Sequence, residues 1–265
     1  MPAAPLPVVL IFGPFDPSGS RGLPAEAITC AELGCHAVST LTAILVQDTA
    51  GVEDIQAITP ELMDDQARCL LEDMPVHAMK VGPLYTTESV SVLAQITADY
   101  DSIPLVVQLQ RMPDVPMEDE FDAEETHAAL LELLLPQTDL IVTDHTLLLQ
   151  WQSHGLLPGD TPEQAMSALL EYGASALLVS GVPGPDGTRS YLLRDENGQT
   201  SRLAANTDSS VTDVDGLVAT AIATELAHGR EVPQAVERGL SLAAGMNARV
   251  FQPGMGARIF NRSRT

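Results

Sequence analysis

The stretch Asp16-Pro17-Ser18-Gly19-Ser20-Arg21-Gly22 brings together residue types that let a main chain approach a polar ligand. It follows the apolar run Val8-Val9-Leu10-Ile11-Phe12 and precedes a helical pattern that starts near Pro24. Glycines permit close backbone approach, and the free N–H groups of a helix start attract anions. A phosphate cradle is the chemistry such a segment offers. An ordinary strand-to-helix turn has the same composition. A second helix-start segment, with two acids and one glycine, is Thr212-Asp213-Val214-Asp215-Gly216. Its two carboxylates stand at an expected helix start, where acids are favoured with or without chemistry.

Alternating strands and helices must position these segments. Apolar, β-branched runs predict strands over Val8–Phe12, His36–Ala43, Ala78–Val81, Leu105–Leu109, Leu140–Val142 and Ala176–Ser180. Helical patterns cover Pro24–Leu33, Pro60–Glu72, Thr87–Tyr100, Ala123–Leu135, Pro162–Tyr172, Asp215–His228 and Pro233–Val250. Such alternation predicts βαβ units, a mostly parallel sheet and helices on both faces. Ser190–Arg194 and Thr200–Leu203 flank an Asn197-Gly198 pair, a hairpin signal, so an antiparallel hairpin should edge the sheet. Two helices should close the chain. The acidic stretch Pro113–Glu125 reads as a solvated loop running into a helix start.

Composition narrows the function classes. The 265 residues can bury one large core, and no linker divides them. The formal net charge is −23, and Lys80 is the only lysine. Such a surface repels nucleic acid and anionic membranes and suits solubility at high ionic strength, as in a salt-adapted host. No apolar run approaches the length of a bilayer span, and the amino terminus lacks a basic leader. A cytoplasmic protein is expected. Cys30, Cys35 and Cys69 make no disulfide framework, and the six histidines form no HxH or HExxH pair, so no protein-held metal is expected.

Several motifs resemble the ribokinase-like superfamily, and within it the hydroxymethylpyrimidine/phosphomethylpyrimidine kinase branch of thiamine biosynthesis. The resemblance runs from about Val8 to Arg258. The family's Gly-Ser-Asp-Pro-Ser-Gly-Gly-x-Gly turn reads Gly13-Pro14-Phe15-Asp16-Pro17-Ser18-Gly19-Ser20-Arg21-Gly22, with one residue extra and with Glu26 as the acid that follows. The family's Gln-Asn-Thr-x-Gly-Val reads Gln47-Asp48-Thr49-Ala50-Gly51-Val52, and its Lys-Ile-Gly-Met-Leu reads Lys80-Val81-Gly82-Pro83-Leu84. The resemblance implies a three-layer α/β/α fold with a mostly parallel sheet and a small hairpin, built as a homodimer. It implies a pyrimidine pocket drawn from Gly13, Asp16, Glu26, Gln47, Lys80 and Gln108. Gln47 should hold the ring, because an amide offers both a donor and an acceptor. Lys80 reads equally well as a strand residue paired with a carboxylate.

The phosphate side departs from the family. There, a Gly-x-Gly-Cys or Gly-x-Gly-Asp segment opens a helix and ends in the catalytic base. Here it reads Thr212-Asp213-Val214-Asp215, which puts Asp215 on the base. A shift of one residue puts Gly216 there and leaves none. The family's Asn-x-x-Glu reads Asp144-His145-Thr146-Leu147, and its Lys-Gly-Gly reads Ser180-Gly181-Val182. Asp-Pro-Val-Met reads Gln108-Leu109-Gln110-Arg111. The resemblance therefore implies nucleotide contacts at Asp144, Ser180, Thr212, Asp213 and Gly216, with ATP and Mg²⁺ as cofactors. The expected activity is phosphorylation of hydroxymethylpyrimidine or its monophosphate. The alternative is a weak or inactive homologue that binds a pyrimidine as a sensor or partner subunit. A sugar or pyridoxal kinase ranks lower.

Overall fold

The computed structural model describes residues 6–113, 122–184, 188–204, 211–247 and 249–263. Most of the acidic stretch after Pro113 lies outside them. The first half of the chain runs β1 (Val8–Phe15), α1 (Gly22–Glu32), β2 (His36–Gln47), β3 (Val52–Ala57), α2 (Pro60–Asp73), β4 (Ala78–Val81), α3 (Thr87–Asp99) and β5 (Leu105–Gln108). The second half runs α4 (Ala123–Ala129), β6 (Leu140–Asp144), α5 (His145–Ser153), α6 (Pro162–Glu171), β7 (Ala176–Pro183), β8 (Arg189–Asp195), β9 (Thr200–Ala204), α7 (Val214–Ala227), α8 (Val232–Asn247), β10 (Val250–Phe251) and β11 (Ile259–Phe260).

Nine strands form one sheet in the order β3-β2-β1-β4-β5-β6-β7-β8-β9. The stretch from β2 to β7 is parallel throughout. Antiparallel hairpins close both ends. Strand β1 is apolar at nearly every position because both of its faces are covered. Leu10 and Phe12 point into a core shared with α2, α3, α5 and α6, whereas Val9 and Ile11 point into one shared with α1, α7 and α8. The side-chain period of two thus yields two cores and three layers.

The fold class, the parallel strands and the β8–β9 hairpin agree with the sequence-based expectation. Four features differ from it. Strand β3 was not expected, because in Val-Glu-Asp-Ile-Gln-Ala only Ile55 is buried and no alternation shows. Helix α5 was not expected because it starts without a linker: Asp144 ends β6 and also caps α5, accepting from Thr146 N and Leu147 N. The helix expected over Ala123–Leu135 is regular only to Ala129, then passes through a π turn at Leu130–Leu134 and a 3₁₀ turn at Leu135–Gln137. Pro136 has no N–H to continue an α ladder. The last two helices do not close the chain, since the β10–β11 pair follows them and carries Arg262 back to the first turn.

Candidate active site

The carboxyl ends of the parallel strands converge with the starts of α1 and α7, the edge where open α/β sheets bind ligands. Asp16 shapes the first turn. Its Oδ1 accepts from Ser18 N at 2.8 Å, and its Oδ2 accepts from Ser20 N at 3.0 Å and Arg21 N at 2.9 Å. The hydroxyls of Ser18 and Ser20 also donate to Oδ2, each at 2.9 Å. This buried carboxylate is spent on its own loop, so Asp16 organises the site rather than facing a ligand. Gly13 lies deeper, at a shift in the β1–β2 register, with the Leu23 side chain nearby.

A narrow pocket opens beside this turn. Pro14, Leu45, Val52, Pro83 and Tyr85 give it apolar walls, and Arg21, Glu26, Gln108, Gln110 and Asp213 give it polar ones. Lys80 sits behind that lining with no solvent exposure. Its ammonium donates to Glu26 Oε1 at 2.6 Å and to Gln108 Oε1 at 2.7 Å. A Cβ on Gly82 would come 3.3 Å from Nζ, so that glycine leaves room for the ammonium. Burial pushes the Glu26 carboxyl above its usual range, while Lys80 pulls it back. The sequence reading allowed Lys80 either a ligand or a partner carboxylate. The structure gives it the carboxylate, and Lys80 fixes two pocket residues from behind.

Gln47, at the end of β2, reaches the turn, its Nε2 lying 3.5 Å from Ser18 Oγ. Four acceptor atoms at this edge are buried and have no hydrogen-bond partner among the described residues: Gln47 Oε1, Glu26 Oε2, Asp213 Oδ2 and Asp215 Oδ1. Buried acceptors left this way cost roughly 1–3 kcal/mol each unless a ligand donor or water meets them. A site built so favours ligands that bring N–H and O–H groups.

The second half of the site is the start of α7. Side-chain oxygens cap α2 through α6, from Thr59, Thr86, Asp122, Asp144 and Thr161 respectively. Helices α1 and α7, whose starts face the site, have no side-chain cap. Their first N–H groups remain available to an anion. Thr212 is set aside from this, because its N–H donates to Arg258 O at 3.0 Å. Asp213 precedes α7 at φ 61, a left-handed conformation, and its carboxylate hydrogen-bonds the Gln108 side chain. Burial raises its pKa, against the pull of Lys80, Arg21 and Arg262.

Asp215 follows in the first turn of α7, within reach of Ser180 in the middle of β7. Asp144 and Ser180 are register partners on β6 and β7. Burial, with smaller help from Asp144 and Asp213, lifts the Asp215 carboxyl to about 7, while Ser180 opposes the shift. The folded protein therefore holds this proton more tightly than the unfolded chain. The stability that this proton contributes is complete below about pH 4 and is lost as the pH rises through about 7. Asp215→Asn should leave the melting temperature nearly unchanged near pH 4 and raise it progressively up to about pH 7, with a plateau above. Thermal melts across that range check this, and a pH-independent difference would contradict it.

Sequence reasoning missed Arg21 and Arg262. Arg21 lines the pocket. Buried Arg262 donates from Nε to Thr29 Oγ1 at 3.2 Å and from Nη2 to Ser20 O at 3.4 Å, tying the carboxyl-terminal segment to the first turn. Arg21 stands inside the first turn without being singled out there, and nothing local marks Arg262. The cysteines expected to be buried, Cys30 and Cys35, are so, and burial raises both thiol pKa values.

The sequence profile of the phosphomethylpyrimidine kinase family matches residues 16–261. A hydroxymethylpyrimidine/phosphomethylpyrimidine kinase of Mycobacterium bovis is 30% identical over 244 residues, which are 88% of this chain and 85% of that protein. Among solved structures, the phosphomethylpyrimidine kinase of Clostridium difficile superimposes with a TM-score of 0.72 at 22% identity, over 91% of this chain and 99% of that one. Bacillus subtilis pyridoxal kinase, in an ADP complex, superimposes with a TM-score of 0.82 at 19% identity, over 98% of both chains. The profile match, over most of the length and across both halves of the site, makes this chain a member of the phosphomethylpyrimidine kinase family.

Proposed function

We propose that the protein transfers the γ-phosphoryl group of ATP to the primary hydroxyl of a hydroxymethyl-substituted aminopyrimidine or its monophosphate. The observation that carries this reading is a set of orphaned acceptors, Glu26 Oε2 and Asp213 Oδ2 in a pocket with apolar walls and Gln47 Oε1 near the first turn. An aminopyrimidine alcohol has a flat ring for those walls, and its amino and hydroxyl groups supply the missing donors. The uncapped start of α7 suits the phosphates, as its open N–H groups can meet their charge without reorganising. Asp144 spends Oδ1 on capping α5, so its other oxygen is the donor offered to Mg²⁺. Magnesium, when bound with the nucleotide, neutralises phosphate charge. Gly216, buried at the first turn of α7, has no side chain of its own, and the Asp213 carboxylate takes that space.

The proposal extends to the cytoplasm as the working compartment and to a homodimer. Among the described residues no helix is long and apolar enough to cross a membrane. Exposed Phe15 and Ile44 are register neighbours on β1 and β2, with exposed Val46 further along, a patch that suits a second copy.

A coupled assay with ATP, Mg²⁺ and 4-amino-5-hydroxymethyl-2-methylpyrimidine, alongside calorimetry with Mg-ATP, tests the reading. Transfer to the pyrimidine is expected. No nucleotide binding at millimolar concentration would sink it and favour a pyrimidine-binding homologue without kinase activity. Gln47→Ala should weaken the acceptor by roughly tenfold in KM, the scale of one hydrogen bond. An unchanged KM would remove Gln47 from the pyrimidine site.

A further inference from the structure

We infer that Asp213 is the general base that takes the acceptor's hydroxyl proton, in place of a side chain at 215 or 216. The inference rests on the kinase reading and names the residue that performs its chemical step. Three independent observations support it. First, Asp213 lines the acceptor pocket together with Glu26 and Gln108, whereas Asp215 is not part of that lining. Second, its carboxylate fills the space that a side chain on Gly216 would occupy. A Cβ built on Gly216 would lie 2.6 Å from Asp213 Cγ and closer still to both oxygens. Residue 216 therefore carries no side chain while Asp213 stands there, and a carboxylate reaches that spot from three residues earlier.

Third, the arrangement is strained. Asp213 is the one non-glycine residue at positive φ among the described residues. It also stands close to another buried acid, Glu26. Strain of this kind persists where the surroundings over-determine it, as at functional sites. Here Gln108 holds the carboxylate, Oδ2 is left without a partner among the described residues, and Lys80, Arg21 and Arg262 supply opposing positive charge.

The step balances without a further reactant. The acceptor O–H bond breaks and its proton moves to the Asp213 carboxylate. The freed electron pair forms the new bond from oxygen to the γ-phosphorus. The bond from that phosphorus to the β-γ bridging oxygen breaks, and its electron pair leaves with ADP. Asp213 then returns the proton to solvent.

The test compares Asp213→Asn, Asp213→Gly, Asp215→Asn and the double variant Asp213→Gly/Gly216→Asp, using initial rates and thermal melts. Asp213→Asn should lower kcat by about 10²–10⁴-fold, the range for losing a general base, with the KM for ATP changed less than about threefold. Asparagine accepts the left-handed conformation, so this variant should fold. Asp213→Gly should lose activity yet melt higher, by about 2–4 °C, since it relieves backbone strain and removes a buried charge. A merely structural Asp213 would instead lower the melting temperature. The double variant should regain at least about tenfold in kcat over Asp213→Gly, because it returns a carboxylate to the same space from 216. Asp213→Asn retaining more than a tenth of kcat, or Asp215→Asn showing the larger loss, would overturn the assignment and leave the kinase reading intact. Absence of transfer by the native protein would remove both.

Discussion

Lys80→Met is expected to destabilise the protein by ~3–5 kcal/mol, the range for breaking a buried ion pair by removing one partner. Lys80 has no solvent exposure, and its ammonium is bound by Glu26 and Gln108. Methionine fits the aliphatic volume but abandons both acceptors. Burial already raises the Glu26 pKa, and without Lys80 only the weaker pull of Arg262 offsets its charge. Glu26→Gln in the same chain should recover much of the loss, because an amide leaves no buried charge. Chemical denaturation of the two single variants and the double variant measures the coupling. A loss below about 1 kcal/mol for Lys80→Met would mean that the pair contributes nothing beyond a surface bridge.

Gly22→Ala should lower kcat/KM by about 10²-fold, the scale of a site displaced by an ångström. Gly22 begins α1 at φ 60, and a Cβ there would strike the Pro14 carbonyl oxygen. Pro14 and Gly22 both line the acceptor pocket, so the clash is relieved only by moving a pocket wall. The left-handed backbone adds roughly 1–3 kcal/mol of instability. Gly19→Ala is the matched control. Its φ of 67 carries similar strain, but nothing stands within 4 Å of its Cβ. It should lose stability with less than tenfold change in kcat/KM. Equal kinetic losses in the two variants would show that backbone strain, and not the Pro14 contact, controls the site.

The two helix-start segments illustrate how far a motif carries. The Asp16–Gly22 turn was legible because its residues bond to one another: Asp16 captures three N–H groups and two hydroxyls within five positions. Local chemistry of that kind is written in consecutive residues. The segment at 212–216 gave two registers, one with a base at Asp215 and one with none. Both kept Asp213 only as a phosphate-side contact, because the base role proposed for it depends on a left-handed φ and on the space beside Gly216, and a sequence displays neither. Lys80 was half-legible in the same way. Its uniqueness marked it, but its partners lie 54 and 28 positions away.

The layered fold with its mostly parallel sheet and its membership of a kinase family were determined by the sequence alone. Apolar periodicity and turn chemistry are properties of short windows, and the unbroken apolar run of β1 marks a strand covered on both faces. The tertiary structure alone decided which side chains meet: Arg262 on the first turn, Glu26 on Lys80, and the Asp213 carboxylate in the space beside Gly216. Those contacts join residues far apart in the chain or depend on a single backbone angle. Charge, burial and direction are therefore settled only once the sheet edge has brought them together.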